Sequence, residues 1–156
     1  MMNQEFLSQI SLFKDLSSDE MAEIIMIGRN RLYKSGERIC SEGDPGDSLF
    51  LIVSGCVRIS KIQSGGEEAL AVLKRAEFFG EMSLFEMMPR SAHVIAHEDC
   101  RLFEIKNTDL LHLFERDTNI GYKVLWSFGK TLTRRLRETN EKFNIMMAMA
   151  NFGSGL

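Results

Sequence analysis

Three textures of apolar and polar positions follow one another along the chain. Residues 4–13 and 18–30 space their apolar positions as short helices do. In "LSSDEMAEIIMIG", Ser17 or Ser18 offers an N-cap, acids fill the first turn and Gly28 stands near the end. Met21, Ile24, Ile25 and Ile27 mark the face to be buried. From Arg31 to about Ile105 the segments become short and β-rich, punctuated by Gly36, Gly43, Gly46, Gly55, Gly65 and Gly66. "QSGGEE" between two alternating runs predicts a hairpin. Many short strands at regular turn spacing predict a closed sandwich or barrel of the jelly-roll kind.

The helical texture returns at Asn107. "KNTDLLHLFER" predicts a helix with Asn107 or Thr108 as N-cap, and a second helix runs from about Asn119 to Ala150. Roughly thirty residues is far more helix than one small domain needs. Leu125, Gly129, Leu132, Leu136, Thr139, Phe143, Met146 and Ala150 alternate spacings of four and three, a heptad seam interrupted by a glycine and a threonine. Two packings answer to it: a helix lying along its own domain, or a parallel seam between two copies, which the spacing favours. The expected fold is mainly β with flanking helices. An N-terminal helical segment (1–30) precedes a jelly-roll β-barrel (31–106). C-terminal helices (107–150), including a long dimerisation helix, follow. No internal repeat is visible, and the tail "NFGSGL" reads as a frayed end or a cut point.

Composition narrows the function classes. With 156 residues, 44% hydrophobic and 26% charged, the chain fits one globular domain with an appendage. No apolar run nears the ~18 residues of a membrane span, and "MMNQEFLSQISLF" has no basic region ahead of an apolar stretch. A net charge of −3 argues against bulk attraction to nucleic acid. Cys40, Cys56 and Cys100 are widely spaced and form no CxxC, so they read as small hydrophobes in a reducing cytoplasm. His93, His97 and His112 supply no convincing third position for a metal on a jelly roll. No nucleophile elbow is present, and no turnover of a bound ligand is expected.

The most informative stretch is "FFGEMSLFEMMPRSAHV", from Phe78 to Val94. A guanidinium presents a planar fork of donors that suits phosphate. Gly80 lets backbone approach a ligand closely. A short helical turn through Met82, Ser83 and Leu84 would aim N–H groups at an anion. Glu81 is out of place beside a phosphate but fits a sugar hydroxyl, as acids do in nucleotide sites. Phosphate and ribose held that close together suggest a cyclic nucleotide. The alternative is a loop ion pair between Glu81 and Arg90.

The stretch closely resembles the phosphate-binding cassette of the cyclic-nucleotide-binding domain family, here spanning residues 78–92. The family pattern reads Phe79-Gly80-Glu81-Met82-Ser83-Leu84 and then Pro89-Arg90-Ser91-Ala92. A second signature, "SGERICSEGDPGDSLFLIVSGCVRI", sets Gly36, Gly43, Gly46 and Gly55 where the family has turns. The resemblance implies that Glu81 binds the ribose 2′-hydroxyl and Arg90 the cyclic phosphate. The N–H groups of Met82, Ser83 and Ala92, with the Ser91 or Ser83 hydroxyl, would complete the cradle. Leu70 joins the expected ligand contacts.

"RRLRETNEKF" resembles the C-helix of the bacterial catabolite activator (Crp/Fnr-like) group. It implies that Thr139 and Asn140 meet the adenine at a dimer interface and that Arg135 approaches Glu81. Asn140 departs from the serine of that group, and its carbonyl can still accept from an adenine amino group. The expectation is a non-enzymatic cAMP receptor with no other cofactor, working as a homodimer on an unknown protein effector. cGMP is the weaker candidate, and Ser91 does not discriminate between the two. Transcription factors of that group continue into a helix-turn-helix domain. This sequence shows none, so no direct DNA or membrane binding is expected, and the chain reads as either a stand-alone sensor or a fragment. A fold kept only for dimerisation or docking is the rival reading.

Overall fold

In the computed structural model, which describes residues 2–86 and 88–153, eight strands form two four-stranded antiparallel sheets. β1 (Gly28–Tyr33), β8 (Cys100–Lys106), β3 (Ser48–Ser54) and β6 (Phe78–Phe79) lie side by side in the first. β2 (Arg38–Cys40), β7 (His93–Ala96), β4 (Val57–Gln63) and β5 (Gly66–Leu73) make the second. The fold is a jelly-roll β-barrel with flanking helices and a long C-terminal helix. Position 87 of the expected cassette, and 154–156 of the tail, lie outside the described residues.

Strand alternation divides the core in two. Leu49, Leu51 and Val53 of β3 join Phe103 and Ile105 of β8 against the helices. Phe50 and Ile52 turn the other way, to meet Leu102, Val57, Phe79 and Val94 between the sheets. Hence β3 is apolar almost throughout: both of its faces are covered.

The N-terminal helices are shorter than their apolar spacing predicts. α1 covers only Gln4–Leu7. From there N–H groups of Gln9, Ile10, Phe13 and Leu16 reach back three residues to carbonyls of Phe6, Leu7, Ile10 and Phe13. Such tight turns bury Phe6, Leu7, Ile10, Leu12, Phe13 and Leu16 together, which a single helical face of that length does not. α2 (Ser18–Ile27) has Ser17 as its N-cap, with a capping box to Glu20. It stops at Gly28 rather than residue 30, and the sheet begins there rather than at Arg31. A Cβ on Gly28 would lie 2.1 Å from the Phe103 ring, so a side chain at this crossing would force the buried ring to move.

The "QSGGEE" hairpin is present, with Gln63 opposite Gly66. β5 runs along the sheet edge with nearly every residue exposed. A register shift between Ile59 and Ser60, opposite Ala71 and Ala69, leaves Leu70 unpaired as a bulge.

α4 (Asn107–Arg116) differs from expectation at its start. Lys106 is the N-cap and no side chain caps the helix; Asn107 is already inside it. α5 runs from Thr118 to Gly153. It packs on α4 and the N-terminal turns through Ile120, Val124, Ser127, Phe128 and Thr131. The seam positions Leu125, Leu132, Leu136, Phe143 and Met146 are all exposed in the single chain, so the helix does not lie along its own domain on that face.

One buried acid ties the barrel together. Glu104 accepts from Arg31 Nε at 2.7 Å and Ser48 Oγ at 2.9 Å, with Lys106 Nζ at 3.2 Å. Burial pushes its carboxyl up, but these three partners outweigh burial and hold it below the ordinary 4.5. A carboxylate lowered on folding stabilises the protein above its unfolded value, and that contribution fades as pH falls through the folded one. Stability is therefore expected to drop as pH falls below about 4.5, and Glu104→Gln to flatten this acid limb. Glu104→Gln should also cost about 1–3 kcal/mol at pH 7. Urea unfolding of both proteins at several pH values checks it.

Candidate functional site

The cassette begins where β6 is pinned to β3. Phe50 opposes Phe79 in register, and their rings stack with centroids 4.9 Å apart. Gly80 then turns the chain at φ +87°, in the left-handed region. A Cβ there would sit 2.5 Å from the Ser48 carbonyl oxygen and 2.7 Å from Arg90 Nη1, so the close approach also requires glycine. α3 (Met82–Phe85) follows as a single helical turn. The far end of the cassette is tied to the 43–45 turn. Arg90 N–H donates to the Asp44 carbonyl at 2.8 Å, Gly43 N–H donates to the Arg90 carbonyl at 2.9 Å, and Pro45 bridges Pro89.

Between these ends lies a cavity of about 410 Å³, a volume suited to a small ligand. Gly80, Glu81, Met82, Ser83, Arg90, Ser91 and Ala92 line it from the cassette, and Arg135 reaches it from α5. Ile59, Leu73 and Val94 give it an apolar wall. Arg90 Nη2 donates to the Ser48 carbonyl at 2.8 Å, an uncharged partner. Glu81 is not paired with Arg90, so the loop ion pair is not formed. Its partner is Arg135, whose Nη1 donates to Glu81 Oε1 at 2.7 Å. The Arg135 guanidinium also stands 4.7 Å over the Phe78 ring. Glu81 Oε2 has no hydrogen bond among the described residues and is available to a hydroxyl donor.

Three expected contacts lie elsewhere. Leu70 is exposed at the β5 bulge and does not line the cavity. Thr139 and Asn140 sit on exposed turns of α5, and the Thr139 hydroxyl donates to the Arg135 carbonyl of its own helix at 2.9 Å. Sequence reasoning missed the wall of Ile59, Leu73 and Val94, since alternation shows that these residues face inward but not what they face. The sequence offers Asn107 or Thr108 as a cap of α4, and the side chain of Asn107 caps nothing. Its side-chain Nδ2 instead donates to Ser83 Oγ at 3.1 Å.

A second cavity, about 420 Å³, lies across Arg90, lined by Asp44, Asp47 and Glu104 as well as Arg31. Three carboxylates make it a poor host for an anion. Among the described residues no group of three or more His, Cys, Asp or Glu could hold a metal ion, and no helix is long and apolar enough to cross a membrane. Burial pushes the Cys100 thiol up to about 11, which suppresses thiolate chemistry.

A jelly roll whose strand-turn-helix insertion folds a glycine, an acid and an arginine around one cavity has the architecture of a ligand-binding class of domain. The particular family follows from sequence: the profile of the cyclic nucleotide-binding domain matches residues 30–117, more than half of the chain. The chain belongs to the cyclic nucleotide-binding domain family. It is 35% identical to the cyclic AMP receptor protein of Thermus thermophilus over 86% of its own length and 61% of that protein. It is 38% identical to the cAMP-dependent protein kinase regulatory subunit of Mycosarcoma maydis, over 95% of this chain and 27% of that one. The crystal structure of the Thermus thermophilus catabolite activator protein superposes with a TM-score of 0.75 at 36% identity, covering 88% of this chain and 63% of the other. The chain thus spans under two thirds of these relatives.

Proposed function

We propose that the protein is a non-enzymatic cAMP receptor, cytoplasmic and homodimeric through α5, which passes ligand binding to a protein effector. The observation that carries this reading is the Glu81–Arg135 contact at 2.7 Å. It joins the acid suited to the ribose to the helix that bears the exposed seam. Nucleotide entering the cavity contacts barrel and helix together, and so favours one helix arrangement over another.

In this reading the phosphate takes Arg90 from the Ser48 carbonyl, a neutral acceptor replaced by a charged one. The N–H groups of Met82, Ser83 and Ala92 close around it. Glu81 Oε2 accepts from the ribose 2′-hydroxyl. Thr139 and Asn140, from either copy, meet the adenine at the seam. Ser91 lines the cavity and supports a second reading, in which its hydroxyl bonds the guanine amino group of cGMP.

Calorimetric titration of the purified protein with cAMP and with cGMP tests this. The expected result is micromolar or tighter cAMP binding and weaker cGMP binding. Thr139→Ala and Asn140→Ala should each reduce the cAMP/cGMP ratio by about two- to tenfold, the value of one hydrogen bond, without abolishing binding. Unchanged ratios would move selectivity elsewhere. No binding of either nucleotide would leave a docking module.

A further inference from the structure

Ser83 is a cassette residue with a hydroxyl at the small position between the ribose acid and the apolar turn. It is 9% exposed, and its Oγ donates to the Gly80 carbonyl at 2.7 Å. Asn107, 8% exposed, donates to that same Oγ from behind at 3.1 Å. Asn107 does not line the cavity, whereas Ser83 does. The order is therefore Asn107, then Ser83, then the space beside Gly80 and Arg90.

A hydroxyl has one proton and two lone pairs. The Asn107 donor occupies a lone pair, so the Ser83 proton must point to an acceptor on the other side. In the free protein that acceptor is the Gly80 carbonyl. Ser83 cannot retreat from the arrangement: a Cβ on Gly46 would lie 2.5 Å from the Ser83 Cβ, which shows how closely that turn packs behind it. Asn107 is fixed as well, since its backbone N–H donates to the Asp47 carbonyl at 2.9 Å.

The amide is held in this orientation at a cost. Asn107 Oδ1 is buried and has no hydrogen-bond partner among the described residues, and such atoms are rare enough in folded proteins to demand a reason. A leucine of similar size would fill the site without the orphaned oxygen. Ser83 would keep its bond to Gly80 in either case.

We propose that Asn107 is a positioning residue for nucleotide recognition, holding the Ser83 hydroxyl as an outward donor that moves from the Gly80 carbonyl to an oxygen of the bound cyclic phosphate. The inference rests on the receptor reading above. Donation from Asn107 also polarises the hydroxyl, which strengthens its bond to an anion more than its bond to a neutral carbonyl. Asn107 thereby acts on the bound state while being unfavourable in the free one.

The test uses the whole chain and measures two quantities, the melting temperature without nucleotide and the cAMP dissociation constant by calorimetry. Asn107→Leu is expected to melt no lower than wild type and to bind cAMP about fivefold or more weakly. A purely structural asparagine predicts the reverse, a lower melting temperature with affinity retained. Ser83→Ala should weaken binding similarly. The Asn107→Leu/Ser83→Ala double variant should bind no more weakly than Ser83→Ala alone, because Asn107 acts only through the hydroxyl. Asn107→Ala removes the same donor and must show the same non-additivity should the leucine fail to fold. Wild-type affinity in the Asn107 variants, or losses that multiply in the double variant, would overturn the inference alone. Wild-type protein that binds neither cAMP nor cGMP would overturn the receptor reading and this inference with it.

Discussion

Replacing Arg90 with alanine is expected to weaken cAMP binding by about a hundredfold or more, at two charge-assisted bonds of ~1.5–3 kcal/mol each, while the chain remains folded. The side chain lines the cavity, and its one hydrogen bond among the described residues is to the Ser48 carbonyl. That bond is worth only about 0.5–1.5 kcal/mol to the free protein. The backbone bonds of Arg90 to Asp44 and Gly43 do not depend on the side chain and persist. Affinity and stability should therefore separate. Arg90→Lys should fall between, since an ammonium keeps the charge and loses the planar fork. Calorimetry with a thermal melt on the same sample decides the matter. Wild-type affinity in Arg90→Ala would remove the phosphate assignment.

The second large effect is at Gly80. Gly80→Ala should destabilise the chain by about 2 kcal/mol or more, combining the cost of a left-handed L-residue with that of crowding, and should abolish cAMP binding. Both causes are local: φ is +87°, and the added carbon would meet a backbone oxygen that cannot rotate away. Relief requires β6 or the Ser48 backbone to shift, which pulls the cassette off the Phe50–Phe79 stack. Urea unfolding gives the first number and titration the second. A variant that melts and binds like wild type would show that the turn tolerates a side chain.

Much of this architecture is legible in the residues themselves. Glycine spacing and alternation announce a jelly roll, and the hairpin at Gly65–Gly66 follows from its turn residues. The cassette can be read because its chemistry is contiguous: Gly80, Glu81 and Arg90 lie within one short stretch and end at one cavity. The Arg135 partnership with Glu81 became visible only through family resemblance, because the two are 54 residues apart. Other features have no sequence signal. Residues 4–13 carry a helix-like apolar spacing, yet the helix ends at Leu7 and tight turns follow, because packing Phe6, Leu7, Ile10, Leu12, Phe13 and Leu16 into one core outweighs local periodicity. Asn107 follows a strand and opens a helix, the position of a cap. Only the fold shows that Ser83 lies within its reach. Leu70 is aimed by a bulge, a one-residue slip that alternation cannot locate.

The α5 helix is also a lever. Beyond Thr131 none of its described residues is buried, and Arg135 ties it to the barrel through its hydrogen bond and ion pair with Glu81. At 1.5 Å of rise per residue, the eighteen steps from Arg135 to Gly153 form an arm of roughly 27 Å. A tilt of about 5° about that fulcrum moves the tip by roughly 2 Å over such an arm. An adjustment at the pivot too small to disturb the cavity thus becomes, at the tip, a displacement on the scale of a bond length or more, and the mechanical advantage is set by helix length alone.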